Sequence, residues 1–400
     1  MREIDFDQDK IMSICREAVS SGETAGCSIL IGRDGREVLY FGAGDADREA
    51  KKPIRRDTIF RLYSMSKPLT GVAVMLLMQD GKLDLNDPVE RYIPTFANPK
   101  VCENGKIRDA KYSVRIFNLL NMTSGLSYDG HSNETEGRTS SLIEKIKADM
   151  STGSAMTTQE IAMELGRIPL SFDPGERFQY GMSADVLGAV VEKVSGESFG
   201  DFLKERLLDP LGMKDTGFWV PETKRERIAA TYEYQDGKLI RFEKPHLGIS
   251  VTMDRKPAFE SGGAGLVSTV DDWAKFCEML VNGGTFGDQQ ILCPGIHNYF
   301  TTETITEKQS VGLESWDSLY GYSYGNLMRK MIHPELASSL SSYGEYGWDG
   351  WLGTYMSVVP EYNMYIIYME QRTGAGTTRW VREIRNCIFE NTHPSMLNIY

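Results

Sequence analysis

The chain has 400 residues, 41% of them apolar and 25% charged, with a formal net charge of −12; this is the composition of a globular protein with room for one large domain or two to three ordinary ones. The acidic balance, with no basic stripe against it, argues against a nucleic-acid binder, and no stretch approaches the apolar length of a membrane span. The acidic start Met1-Arg2-Glu3-Ile4-Asp5-Phe6-Asp7 has no apolar core of a secretory signal, so a cytoplasmic location is expected; the six scattered cysteines read as reduced core residues, and the five histidines show no metal-binding spacing. Neither a metal nor another cofactor is expected.

In chain order, residues 8–21 have the pattern of an amphipathic helix. Two alternating segments, Gly26–Gly32 and Glu37–Gly42, follow as strands, joined by Arg33-Asp34-Gly35, whose Asp-Gly is a hairpin signal. Then comes Phe60-Arg61-Leu62-Tyr63-Ser64-Met65-Ser66-Lys67-Pro68, running directly into the apolar stretch Leu69–Met78. Pro68 is tolerated only in the first turn, so the helix starts just before it. Positions i and i+3 of a helix share a face, which brings the Lys67 amine within reach of the Ser64 hydroxyl. The positive helix N-terminus disfavours a second positive charge and should draw the lysine toward a usable base. A single S-x-x-K is about what chance supplies in a chain this long, so its meaning depends on other elements.

Asp80-Gly81-Lys82 supplies a helix C-cap, and a turn leads to a short helix ending near Pro94. From there to about residue 255 helical segments alternate with polar loops; helices are expected near Leu142–Met150, Thr158–Leu165, Ala184–Ser195 and Phe199–Leu208. Strands return at Leu266–Ser268, Tyr322–Met328, Gly353–Val359 and Met364–Glu370, with helices at Val270–Asn282 and Thr378–Glu390. The expectation is an α+β chain: residues 1–60 and 260–400 form a discontinuous antiparallel sheet domain flanked by helices. Residues 61–259 form a mainly helical domain, with Ser64 at the junction.

Two further segments are candidates for completing a site. In Pro174-Gly175-Glu176-Arg177-Phe178-Gln179-Tyr180-Gly181-Met182-Ser183-Ala184-Asp185, Tyr180 sits just before a helix and its phenol can enter a cleft. Beside a lysine ammonium its anionic form is favoured, so the pair can share a proton; taken alone, as one of nineteen tyrosines, its more natural role is packing. Tyr346-Gly347-Trp348-Asp349-Gly350-Trp351-Leu352-Gly353-Thr354 opens a strand whose glycines permit close approach, so that a backbone N–H can pair with that of Ser64 around an oxyanion. The alternative there is a glycine-rich hairpin with packed tryptophans. Gly321-Tyr322-Ser323-Tyr324-Gly325 matches G-x-S-x-G, but an alternating strand in place of a strand–turn–helix makes Ser323 a strand residue. His131, in a polar loop, is expected to be exposed.

These elements in this order resemble the serine β-lactamase and penicillin-binding-protein superfamily, and within it the class C-like, or family VIII, carboxylesterases. The resemblance extends to Gly81–Val89, Leu119-Leu120-Asn121-Met122-Thr123-Ser124-Gly125-Leu126 and Gly262-Gly263-Ala264-Gly265-Leu266-Val267-Ser268-Thr269. It implies a β-lactamase-like fold, Ser64 as acylated nucleophile, Lys67 and Tyr180 as the base system, and the N–H groups of Ser64 and Trp351 as the oxyanion hole. Trp348, Asp349, Gly350 and Met182 then fall at substrate-binding positions. Two departures matter. Tyr180-Gly181-Met182 stands where the family's lactamases carry Tyr-x-Asn, and Trp348-Asp349-Gly350 where they carry Lys-Thr-Gly. The missing amide and cation point to a small ester as the partner molecule. Alternatives are a β-lactamase, D-aminopeptidase or amidase acting on small amides, or a non-catalytic binding protein on the same scaffold.

Overall fold

The computed structural model describes residues 4–150 and 154–392. Alternating segments from both ends of the chain form one antiparallel sheet of eight strands: Gly26–Arg33 (β1), Arg36–Asp47 (β2), Lys52–Pro53 (β3), Tyr322–Gly325 (β4), Met328–Met331 (β5), Tyr346–Asp349 (β6), Tyr355–Val359 (β7) and Met364–Met369 (β8). Their spatial order is β4-β5-β6-β7-β8-β1-β2-β3, so the last strand lies beside the first, with Leu30 opposite Ile367. Asp34 and Gly35 both take positive φ, +52° and +70°, which gives the β1–β2 turn the twist that a two-residue hairpin needs.

The two-residue period of the strands separates two apolar layers. Ile29, Ile31, Ile366 and Tyr368 pack with Gln8–Ser20 (α1) and Arg379–Phe389 (α5). Leu30, Tyr365, Ile367 and Met369 face the other way, into a cluster containing Lys67–Gln79 (α2), Ser183–Ser195 (α3) and Val270–Val281 (α4). That cluster continues without a break through the helical middle of the chain. Eleven of the thirteen residues of α2 are buried, so this helix is apolar all round and central. Burying each of Leu69, Val72, Met75 and Leu76 contributes roughly 1.5–3 kcal/mol.

Three details depart from the sequence reading. Tyr322–Met328 is not one strand: Asn326 and Leu327 both have positive φ and fold it into the β4–β5 hairpin. Asn326 makes that turn affordable, because its amide donates to the carbonyls of Tyr299 (3.1 Å) and Phe300 (3.2 Å) while its N–H meets the Asn121 side chain at 3.0 Å. The supposedly helical middle also holds two small hairpins, Lys100–Glu103 with Lys106–Asp109 and Tyr232–Gln235 with Lys238–Arg241, turning at Asn104-Gly105 and Asp236-Gly237. The expected helix Phe199–Leu208 is α-helical to Leu203 and passes into a π-turn over Lys204–Leu208.

Candidate active site

The segment before Ser64 is held firmly. Phe60 and Arg61 pair with Ser268 and Val267, and the Gln371 side chain brackets Arg61 by accepting from its N–H and donating to its carbonyl, each at 3.0 Å. The Thr354 hydroxyl donates to the Leu62 carbonyl at 2.8 Å. Tyr63 then takes φ +47°, a costly conformation for an aromatic residue and one often found where a reactive group must be presented. A 3-10 turn over Tyr63–Ser66 leads into α2, with Pro68 in its first turn, and leaves Ser64 half-buried at the head of the buried helix.

Lys67 has no exposed surface. Its Nζ lies 3.1 Å from the Ser64 hydroxyl, 3.0 Å from the Tyr128 hydroxyl and 2.8 Å from the Gly263 carbonyl. Burial lowers its pKa to about 7, against the opposing pull of Asp185 and Asp349. The dominant cause is therefore desolvation. Chemistry follows from the partner types. A carbonyl can only accept, so a neutral amine donates to Gly263 and still turns a lone pair toward a hydroxyl.

Gly263 is placed by Asp185 of α3, which accepts from the Ser261 hydroxyl (2.5 Å) and the Gly263 N–H (3.1 Å). A Cβ at Gly263 would sit 2.7 Å from that carboxylate, and one at Gly262 only 2.3 Å from the Ala184 carbonyl, which explains the paired glycines.

Tyr180 stands at the end of an extended piece tied down by Phe178 N–H to Gln309 and Gln179 N–H to Met122. Its phenol lies against the Ser64 hydroxyl and accepts from the Trp348 indole at 2.9 Å, while the Lys67 amine sits 4.6 Å from its ring centre. Burial raises the phenol's pKa. Desolvation thus reverses the expected direction: both groups are pushed toward their neutral forms, and a tyrosinate beside an ammonium is not favoured. Gly181 is required next to it, since a Cβ would come within 2.3 Å of the Leu126 carbonyl.

Of the residues expected to touch substrate, Trp348 and Met182 are each 1% exposed. Trp348 forms the wall behind Tyr180, and Met182 lies in the core beneath the start of α3. The Asp349 carboxylate accepts from the Thr377 hydroxyl, and burial raises its pKa. Gly350 presses on the serine turn, leaving 2.1 Å between a would-be Cβ and the Leu62 carbonyl. The following residue, Trp351, stacks its indole on His246 at 3.8 Å and 13°. Among the described residues the N–H groups of Ser64 and Trp351 have no hydrogen-bond acceptor.

Two residues at this site were not singled out by sequence. Tyr128 lies in a loop 61 positions beyond Lys67, and nothing local marks it. Asp185 has a weak signal, a carboxylate within an otherwise apolar helical run, which is costly unless partnered. Ser323 lies in β4, buried, with its hydroxyl near the Ile305 carbonyl at 3.4 Å; β5 follows it, and no helix. His131 is exposed.

Comparisons with known proteins bear on the family and the fold. Esterase EstB of Burkholderia gladioli is 30% identical over 86% of this chain and 85% of its own length. An uncharacterized protein of Mycobacterium tuberculosis is 28% identical over 92% and 90%. The structure of EstCE1, described as a hydrolase with promiscuous acyltransferase activity, superposes with a TM-score of 0.80 at 26% identity, covering 95% of this chain and 98% of that one. A family VIII carboxylesterase has the same fold, with a TM-score of 0.70 at 18% identity over 98% and 99%. With the family model described as beta-lactamase matching residues 12–385, the chain belongs to the beta-lactamase family of serine hydrolases and has its α+β fold.

Proposed function

We propose that this protein cleaves small carboxylic esters, or transfers their acyl group, through an acyl-enzyme on Ser64. The observation that carries the reading is the buried Lys67 amine, 3.1 Å from the Ser64 hydroxyl with its pKa drawn down to about 7. Such an amine is free to take a proton near neutral pH. As Ser64 Oγ attacks the ester carbonyl, its proton passes to Lys67, and the ammonium so formed is stabilised by Tyr128, Gly263 and the Tyr180 ring face. The neutral Tyr180 phenol, held by Trp348, delivers a proton to the departing alkoxide and is resupplied from Lys67. The unengaged N–H groups of Ser64 and Trp351 receive the carbonyl oxygen. Deacylation runs the same relay backwards with water or a second alcohol as acceptor.

Preference for esters over amides rests on what the cleft lacks. A buried methionine stands at position 182 and an indole at 348, so neither an amide nor a cation is offered there to a peptide-like carbonyl or a carboxylate. Similarity to EstB supports the same choice. The test is turnover of p-nitrophenyl butyrate by the wild type and Ser64→Ala. Loss of the steady-state rate with the substitution is expected; equal rates end the assignment. Faster turnover of nitrocefin or a D-amino-acid amide than of any ester would move the substrate to the amide class.

A further inference from the structure

A groove of about 740 Å³ starts at the Tyr128 and Tyr180 rings and runs outward between the Asn104-Gly105 hairpin and residues 171–180. This is the size range of small-molecule sites. Trp316 forms its inner wall, edge-on to Tyr180 at 5.1 Å. Gln309 and Gly312 fix the segment that carries Trp316: Gln309 donates to the Gly175 carbonyl at 2.9 Å, and Gly312 sits so close to Phe178 that a Cβ would be 2.0 Å from its carbonyl. The aromatic end is therefore rigid.

The polar lining divides into spent and unspent groups. Arg108 is occupied by Asp173 and Glu103. The Glu136 carboxylate accepts from the Ser132 N–H and the Asn133 amide. Among the described residues, the side-chain amides of Asn104 and Gln179 have no hydrogen-bond partner, and the Ser171 hydroxyl has none either. Glu176 and Arg177, adjacent and of opposite sign, have no ion pair among the described residues; Arg177 rests on the Phe172 ring at 4.7 Å. The unspent groups are neutral amides, one hydroxyl and a self-cancelling charge pair. A surface of that kind has both donors and acceptors for hydroxyl groups and an aromatic face at its inner end. With Glu103, Glu136 and Glu176 against Arg108 and Arg177, its lining carries a slight negative excess and no free basic cluster to select an anion.

We infer that this groove binds the alcohol half of the substrate and that this half is a neutral polyol, a sugar or sugar-like alcohol carrying a short acyl ester. The inference rests on the Ser64 reading for which bond is cut, but not for what the groove binds. In the reaction the ester C–O bond breaks, the acyl group passes to Ser64 and then to water, and the polyol leaves with the proton from the Tyr180 relay.

The experiment compares kcat/KM for an acetylated methyl glucoside, butyl acetate and 4-acetoxybutanoate, whose carboxylate lies on the alcohol half, in the wild type and in Asn104→Ala/Gln179→Ala. The expected result is a preference for the sugar acetate over butyl acetate. The double variant should lower that ratio at least tenfold, mainly through KM. A ratio of one or less in the wild type, or one untouched by the double variant, overturns the proposal. So does a preference for the carboxylate-bearing ester that is lost in Arg177→Gln, which would make the groove an anion site. Binding of unacetylated methyl glucoside, followed by Trp fluorescence, separates this inference from the Ser64 reading. If no ester is turned over, saturable binding weakened in the double variant still upholds the groove, and no binding overturns it.

Discussion

Two lysines of this protein are buried and both have their pKa drawn down to about 7, yet their surroundings suit them to different work. Lys330 of β5 is 3% exposed and donates to the carbonyls of Phe300 (2.9 Å) and Glu303 (2.5 Å), with the Glu303 carboxylate close by. It closes the C-terminal end of the helix Pro294–Thr302. Every partner it has is an acceptor without a proton to give. Lys67 faces one carbonyl and two hydroxyls, one of which belongs to Ser64. A lowered pKa makes a lysine available as a base, but only a neighbour with a transferable proton makes it useful as one.

The comparison breaks first at Lys67→Met, which should lower kcat/KM for p-nitrophenyl butyrate by about 10³-fold or more, as removal of a nucleophile's base does in other serine hydrolases. The matching Lys330→Met variant should keep its rate within about threefold of wild type. If both lose activity alike, the distinction fails. In the wild type, kcat/KM should rise with pH through about 7 as Lys67 loses its proton. A profile flat from pH 5.5 to 8.5 would remove Lys67 as the base.

A smaller effect is expected from Trp348→Phe, which keeps the ring and deletes the N–H to Tyr180. Loss of one such hydrogen bond, at about 0.5–1.5 kcal/mol, corresponds to roughly a 2- to 13-fold fall in kcat with KM little changed. Lys330→Met should instead show in stability, by about 1–3 kcal/mol in urea unfolding at pH 8, since the buried Glu303 carbonyl loses its donor while the Phe300 carbonyl keeps the Asn326 amide. The sign of its pH dependence is fixed by a folded pKa below the unfolded value of 10.5. Between about 7 and 10.5 the unfolded chain binds the proton that the folded chain does not, so wild-type stability gains from this group as pH rises, and the gain disappears in the variant. The smallest effect is expected at Ser323→Ala: less than a twofold change in rate, because its hydroxyl has only the Ile305 carbonyl for company. A severe loss there would return attention to the G-x-S-x-G match.

Much of the fold was legible because its signals are local. Asp34-Gly35 and the alternation on either side suffice for the β1–β2 hairpin, and Pro68 with the apolar run behind it marks the start of α2. The hairpins at Asn104-Gly105 and Asp236-Gly237 had comparable local signals within a region read as helical, and the first of them became a wall of the groove. Tyr322–Met328 failed for a tertiary reason: the Asn326 turn is completed by carbonyls of a helix some 26 residues earlier.

By itself the sequence determined the spacing of Ser64 and Lys67 on one helix start, the glycines at which backbone must meet backbone, and the strands contributed by both chain ends. Each of these depends on geometry over a few residues. Only the tertiary structure decided that Lys67 shares its amine with Tyr128, that Asp185 sets the carbonyl it leans on, and that Trp348 holds Tyr180 without facing solvent. It also decided the protonation of the site. The helix terminus was the visible cause for a weakened lysine, but burial from all sides dominates. Desolvation depends on everything packed around a group, and no local pattern in the chain encodes that.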